Sequence, residues 1–242
     1  VQKLKKEYCL TTLRMANLNF NSLIMNCLLV AATIHEIKPF LPHYRNRKST
    51  INRNIDIDIL VSGIGLTTTT YHLTKQCYIK KPDLIIQAGV AGCFDLNMTL
   101  GDVVAVKQDC IADESVVELQ KLKTLFDLKL VPHNQFPYKN GWLNNNNTTL
   151  LTQSKLKAVK GISVNQISSD EKMISFYKSH FKPVVESMEG AALHYVSIAE
   201  KIPFLQIRSI SNYIGERNRQ KWKMKEAVVN LNKELLRLLS TL

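Results

Sequence analysis

The sequence has no Cys-x-x-Cys pair, no full Gly-x-Gly-x-x-Gly fingerprint and no internal repeat. Its five cysteines (Cys9, Cys27, Cys77, Cys93, Cys110) form an odd, scattered set. That set argues against a disulfide framework and a zinc site, and predicts reduced, buried thiols in a cytoplasmic protein. No stretch approaches the roughly 20 apolar residues of a membrane span. "SGIG" at residues 62–65 falls short of a dinucleotide-binding loop. Zinc-finger, RNP and basic-zipper patterns are missing as well, which weighs on how the formal charge of +12 is read. Clustered basic residues would suit a nucleic acid or an anionic membrane. Here "KLKK", "HYRNRK" and "RNRQKWKMK" lie in three distant segments, so neither partner is expected.

What the chain does have is 242 residues that are 45% hydrophobic, enough for one large core. Residues 1–24 combine a basic start with polar interruptions at Arg14, Asn17, Asn19 and Asn21. They read as a dispensable or misassigned leader, with Met25 as the true start and residues 25–242 as one domain. From there, short apolar runs alternate with helical patterns, the signature of βαβ units around a largely parallel sheet. "NCLLVAAT", "IDILVSG", "PDLIIQAG", "GDVVAVKQ", "GISVNQ" and "IPFLQIRS" read as strands. Residues 35–41, 67–80, 170–180, 188–200 and 218–239 read as helices, the last with Ala227, Leu231, Leu235 and Leu238 on one stripe. Residues 109–160, with Pro132, Pro137, Gly141 and an Asn tract, predict a long excursion poor in regular structure.

Four clusters carry polar or glycine residues at element ends, where ligands bind in open α/β sheets. Each has an ordinary reading. Glu36 in "AATIHE" suits the first turn of a helix. "GVAG" at 89–92 suits a tight turn. Arg208, Ser211 and Asn212 close an apolar strand, where Asn is commonly a turn former. In "ESMEGAALHYV", Ser187, Glu186 and Glu189 suit helix capping.

Taken in order, "LLVAATIHEI", "LVSGIGLTTTTYHL", "LIIQAGVAGCFD", "LGDVV", "VESMEGAA" and "IRSISNYIGERNRQKW" resemble the nucleoside phosphorylase and nucleosidase superfamily over residues 25–242. Within it they look most like the futalosine hydrolases of menaquinone biosynthesis. The resemblance implies a single-domain three-layer α/β/α fold with a central mixed, largely parallel sheet, a purine nucleoside as small-molecule substrate, no metal or organic cofactor, and a homodimer. It assigns Glu36 to the attacking water, Arg208 to holding that water and orienting Glu36, Glu189 with Met188 to the ribose hydroxyls, and Asn212 to purine N7. It also places Val90, Gly92 and Ser211 along the same nucleoside site.

Two departures from the family pattern bear on the chemistry. Phosphorylases of the family hold phosphate with an arginine and a serine where this chain has Gln87 and Val90, so water is the expected nucleophile. Methylthioadenosine and adenosylhomocysteine nucleosidases carry an aspartate where Asn212 stands. Asn donates a hydrogen bond but not a proton, which suits the neighbouring N7 and O6 acceptors of a 6-oxopurine. The expected reaction is hydrolysis of futalosine to hypoxanthine and dehypoxanthine futalosine. The alternatives are a methylthioadenosine or adenosylhomocysteine nucleosidase, and a noncatalytic nucleoside-binding protein. His43, Arg45 and the 109–160 excursion are candidates for the aromatic carboxylate at the 5′ end.

Overall fold

The computed structural model describes residues 24–46, 52 and 54–242. The expected leader therefore lies, but for Ile24, outside the described residues. The first half runs β1 (Met25–Ala31), α1 (Ile34–Ile37), α2 (Leu41–Asn46), β2 (Ile55–Val61), α3 (Leu66–Ile79), β3 (Leu84–Cys93) and β4 (Val103–Asp109). Then come β5 (Ser115–Glu118), β6 (Lys121–Thr124), β7 (Leu143–Asn144), α4 (Thr148–Gln153) and β8 (Lys157–Ser163). The chain ends with α5 (Glu171–His180), β9 (Val185–Ser187), α6 (Gly190–Ala199), β10 (Phe204–Tyr213) and α7 (Met224–Thr241).

The main sheet is mixed, with antiparallel as well as parallel pairings. β1–β2, β1–β3, β3–β10, β4–β8 and β8–β9 pair parallel, whereas β4–β10, β3–β9 and β4–β7 pair antiparallel. The order β10-β4-β8-β9-β3, with β10 also paired to β3, closes those five strands on themselves, and β1 and β2 extend outward from β3. The excursion is more regular than its composition suggests. It holds the β5–β6 hairpin, β7 and α4.

The two faces of β1 show how alternation sorts the core. Cys27, Leu29 and Ala31 pack with Ile37 and Phe40 and with Leu231, Leu235, Leu238 and Leu239 of α7. Leu28 and Val30 point the other way, toward Leu73 and Cys77 of α3 and Leu193 and Val196 of α6. Helices thus cover the sheet on both sides, and the leucine stripe read in the last helix is its buried face. Cys27, Cys77, Cys93 and Cys110 are buried free thiols. Among the described residues no helix is long and apolar enough to cross a membrane.

One polar residue interrupts the α7 stripe. Asn232 is buried, accepts from the Phe40 N–H at 3.1 Å and donates to the Glu36 carbonyl at 2.8 Å. The last helix thereby clamps the short turn that carries Glu36. Asn232→Ala would strand the buried Glu36 carbonyl, at a cost of about 1–3 kcal/mol, and would leave the Phe40 N–H only its bond to the Ile37 carbonyl. Its urea midpoint should fall well below that of the parent; an unchanged midpoint would show that the clamp contributes nothing to stability.

Candidate active site

β3 creates the opening in which the polar residues gather. One of its edges pairs with β10 along its length. The other edge pairs with β1 up to Gln87 and with β9 only from Gly92. Between those two partners the backbone is free to serve a side chain, and the Val90 N–H donates to Oε1 of Glu36 at 3.1 Å. The other oxygen, Oε2, accepts from the Thr33 N–H at 3.0 Å, the reach-back half of a capping box. Glu36 is therefore a first-turn glutamate, as its position suggests, but it is buried and tied to β3 as well.

Glu189 stands at the N-cap position of α6 and makes no capping bond. Serines cap that helix instead: Ser187 Oγ accepts from the Gly190 N–H and Ser163 Oγ from the Ala191 N–H. Glu186 is occupied by the N–H and hydroxyl of Ser168. Relieved of capping, the buried Glu189 carboxylate accepts from the Gly65 N–H at 3.2 Å and lies 3.5 Å from Nη1 of Arg208. Desolvation pushes its pKa up, the Arg208 charge opposes that shift, and the charge of Glu36 adds to it.

Arg208 is 1% exposed. Its Nη2 donates to Gln87 Oε1 at 2.6 Å, so the glutamine at the family's phosphate-arginine position is engaged by this guanidinium. Gly89 makes room for it: a Cβ there would fall 2.3 Å from Arg208 Nη1 and 2.9 Å from Glu36 Oε1. Glu36 and Arg208 thus flank one glycine, while the ion pair of the guanidinium goes to Glu189 and Glu36 is oriented by backbone N–H groups.

Ser211 and Asn212 owe their placement to a bulge. The β10–β3 register shifts between Ile210 and Asn212, so two residues of β10 face one of β3, and such bulges re-aim side chains. Oδ1 of Asn212 accepts from the Ser211 hydroxyl at 2.8 Å and Nδ2 donates to the Tyr213 carbonyl at 3.1 Å. One amide N–H remains for a ligand.

A cavity of about 390 Å³ joins these groups. Its lining includes Glu36, Val90, Gly92, Met188, Glu189, Ser211 and Asn212 from the sequence reading, with Arg208 just behind Glu189. Sequence reasoning missed His35, Ile214, Arg217, Trp222 and Val228. His43 and residues 109–160 do not line the cavity. Among the described residues no group of three or more His, Cys, Asp and Glu side chains is placed to hold a metal ion.

Behind the site lies a second polar layer that the sequence did not flag. Asp109, His194, Gln206 and Gln87 are all buried. A Cβ on Gly190 would come within 2.2 Å of both Asp109 Oδ2 and Gln206 Nε2, so these atoms meet where a glycine leaves space. Burial pushes Asp109 up to about 7 against the opposing effects of the Ser163 hydroxyl and the Arg208 charge. An acid with a raised pKa in the fold holds its proton more tightly folded than unfolded. Stability contributed by that proton is present at low pH and lost as pH climbs from the unfolded value, about 3.9, through the folded one. Thermal melts at pH 5 and pH 8 should therefore show a smaller drop for Asp109→Asn than for the parent. Equal drops would remove Asp109 as the source of the pH dependence.

Comparison with known proteins places this geometry. The family model described as the phosphorylase superfamily matches residues 32–240. The 5′-methylthioadenosine/S-adenosylhomocysteine nucleosidase of Buchnera aphidicola is 27% identical over 169 residues, 66% of this chain and 68% of that protein. That of Haemophilus influenzae strain PittEE is 28% identical over 174 residues, 65% of this chain and 68% of that one. Among solved structures, futalosine hydrolase of Helicobacter pylori superposes with a TM-score of 0.74 at 20% identity, covering 90% of this chain and 99% of its own. The Helicobacter pylori 5′-methylthioadenosine/S-adenosylhomocysteine nucleosidase with butyl-thio-DADMe-Immucillin-A bound gives the same four values. The match over residues 32–240 and the shared fold establish that this chain belongs to the phosphorylase superfamily.

Proposed function

We propose that the chain hydrolyses the N-glycosidic bond of a purine nucleoside, with a 6-oxopurine such as that of futalosine as the preferred base. The observation that carries this reading is the meeting of two buried carboxylates, Glu36 and Glu189, in one cavity that also presents an amide donor, Asn212. The names of the relatives at 25–28% identity point to nucleoside hydrolysis too.

Each group has a role its surroundings support. Glu189 accepts the ribose hydroxyl protons, and its negative charge favours the oxocarbenium character that grows on the sugar as the base departs. Arg208 favours the charged form of that carboxylate against the effect of burial and holds it in place. Glu36 is held by two backbone donors with lone pairs to spare, so it can orient a water and take its proton. Asn212 donates its free N–H toward N7 or O6 as negative charge moves onto the base. Water rather than phosphate is the nucleophile, because Arg208 is spoken for by Glu189 and Gln87 and Val90 offers no hydroxyl.

The second reading, a methylthioadenosine or adenosylhomocysteine nucleosidase, is favoured by the names of the sequence relatives. The purified chain should be incubated with futalosine, methylthioadenosine and inosine, with and without phosphate, and the released base and sugar identified. The reading expects free sugar independent of phosphate and hypoxanthine release exceeding adenine release. A sugar phosphate would sink the hydrolase; a preference for methylthioadenosine would select the second reading.

Glu36→Gln should retain substrate binding and lose about 10²- to 10⁴-fold in kcat, the usual contribution of a general base. Turnover near the parent value would take Glu36 out of the mechanism. Asn212→Asp tests the base preference. An ionised aspartate would face two acceptors of a 6-oxopurine, and at a reference pKa of about 3.9 it is seldom protonated at pH 7. The kcat/KM ratio of futalosine to methylthioadenosine should fall at neutral pH and recover partly on acidification. A ratio that does not move would leave Asn212 as a turn former only.

A further inference from the structure

The basic run "RNRQKWKMK", residues 217–225, has no part in the chemistry above, yet the fold lays it across the mouth of the cavity. It follows the β10 bulge directly. The Lys223 N–H donates to the Ser211 carbonyl at 2.8 Å, so the segment is pinned back beside Asn212. Trp222 Nε1 donates to the Glu216 carbonyl at 3.0 Å, and Lys221 bridges the Glu216 carboxylate at 2.6 Å. These bonds make a tied strap out of a sequence that reads as a solvated charge run. Arg217, Trp222 and Met224 from this strap enter the cavity lining.

Arg217 differs from its basic neighbours in what surrounds it. Its guanidinium carbon lies 5.8 Å from the centroid of the Trp222 ring, a cation–π arrangement. The nearby carboxylate of Glu216 is already engaged by Lys221, and among the described residues Arg217 has no ion pair of its own. Arg217 is also the one arginine or lysine in the cavity lining. The cavity is therefore polarised: anionic at its floor, where Glu36 and Glu189 are buried, and cationic at its rim, where Arg217 is exposed beside an indole. A neutral ribose suits the floor. The rim offers a planar fork of donors next to an aromatic wall, a combination that selects a carboxylate on a flat or apolar stem.

We propose that Arg217, supported on Trp222, recognises a carboxylate on the substituent that the bound nucleoside extends to the rim, and so selects acid-bearing nucleosides. The proposal rests on the nucleosidase reading and names its substrate class. It also gives the surplus positive charge a use. Arg217, Arg219, Lys221, Lys223 and Lys225 stand in nine residues without an acid, and a cluster of one sign at a cleft mouth raises the local concentration of the opposite sign.

The test uses two substrate pairs, each with a common base. Futalosine, with its carboxylate, is set against inosine, and adenosylhomocysteine against methylthioadenosine. Arg217→Gln should lower kcat/KM for the acid-bearing member about 10- to 100-fold, the range of a hydrogen bond to a charged group. The loss should appear in KM with kcat retained, while the acid-free member changes far less, which also shows that the variant is folded. Arg217→Lys should recover part of the loss, since the charge returns without the fork. Added salt should raise KM for the acid-bearing member selectively in the parent protein. Equal losses on both members of a pair, or no loss on either, would overturn the proposal and leave the hydrolase reading standing. A parent protein that cleaves none of the four nucleosides sinks the hydrolase reading, and this proposal with it.

Discussion

A guanidinium sealed inside a protein must be matched, because an unpaired buried charge costs far more than any single contact returns. The burial of Arg208 is the constraint around which this site is built. Glu189 supplies the countercharge, Gln87 takes one end of the fork, and Gly89 withholds the side chain that would collide with it. The demand reaches further back, since the Arg208 charge also acts on Asp109. It decides how α6 begins as well. For Glu189 to face Arg208 it has to be released from capping, and Ser163 and Ser187 take over that task from the neighbouring strands. A carboxylate aimed at solvent would have been simpler to fold. A carboxylate aimed at a buried arginine is fixed in place before any ligand arrives.

The mixed topology has a comparable consequence. If β3 kept one neighbour along its second edge, its N–H groups there would be consumed by the ladder. Because β1 leaves after Gln87 and β9 joins only at Gly92, the Val90 N–H is available to Glu36. Closure of the strand ring and the opening of the site are thus one event in the fold. The antiparallel β9 pairing that departs from a parallel sheet is what ends the opening on one side and delivers Glu186, Ser187 and Glu189 to it.

The sequence made some of this legible and concealed the rest for identifiable reasons. Long apolar runs such as "PDLIIQAG" and the charged helix at 170–180 announce themselves, since their periodicity extends over enough residues to outvote local ambiguity. β9 spans three residues, Val185–Ser187, and no period can be read from three. The bulge at Ser211 leaves no mark in composition, yet it governs where Asn212 points. Asn232 looks like a polar lapse in a leucine stripe, and only the tertiary arrangement shows its amide holding both ends of the Glu36 turn. The basic strap was visible as charge and invisible as a rim, because charge runs usually mark solvated faces and its ties to Ser211 and Glu216 are contacts of folded backbone.

Asn212 is held by two local hydrogen bonds, and these bear on the role proposed for it. Its Nδ2 donates to the carbonyl of the next residue, Tyr213. Its Oδ1 takes the Ser211 hydroxyl. Those two bonds orient the amide, and the orientation leaves a donor as the unspent group. An ionised aspartate in the same place could keep the Ser211 bond with one oxygen, but its other oxygen would meet the Tyr213 carbonyl, acceptor against acceptor. The backbone of this chain therefore favours a donor at position 212 before any substrate is considered. Under the proposed reading that preference bears on the base: a charge forming on N7 or O6 would meet an N–H that can stabilise it but cannot neutralise it by giving up a proton. A site of that kind would serve a base that leaves readily as an anion better than one that must be protonated to leave. The carbonyl at C6 of a 6-oxopurine, by spreading that charge, supplies the difference.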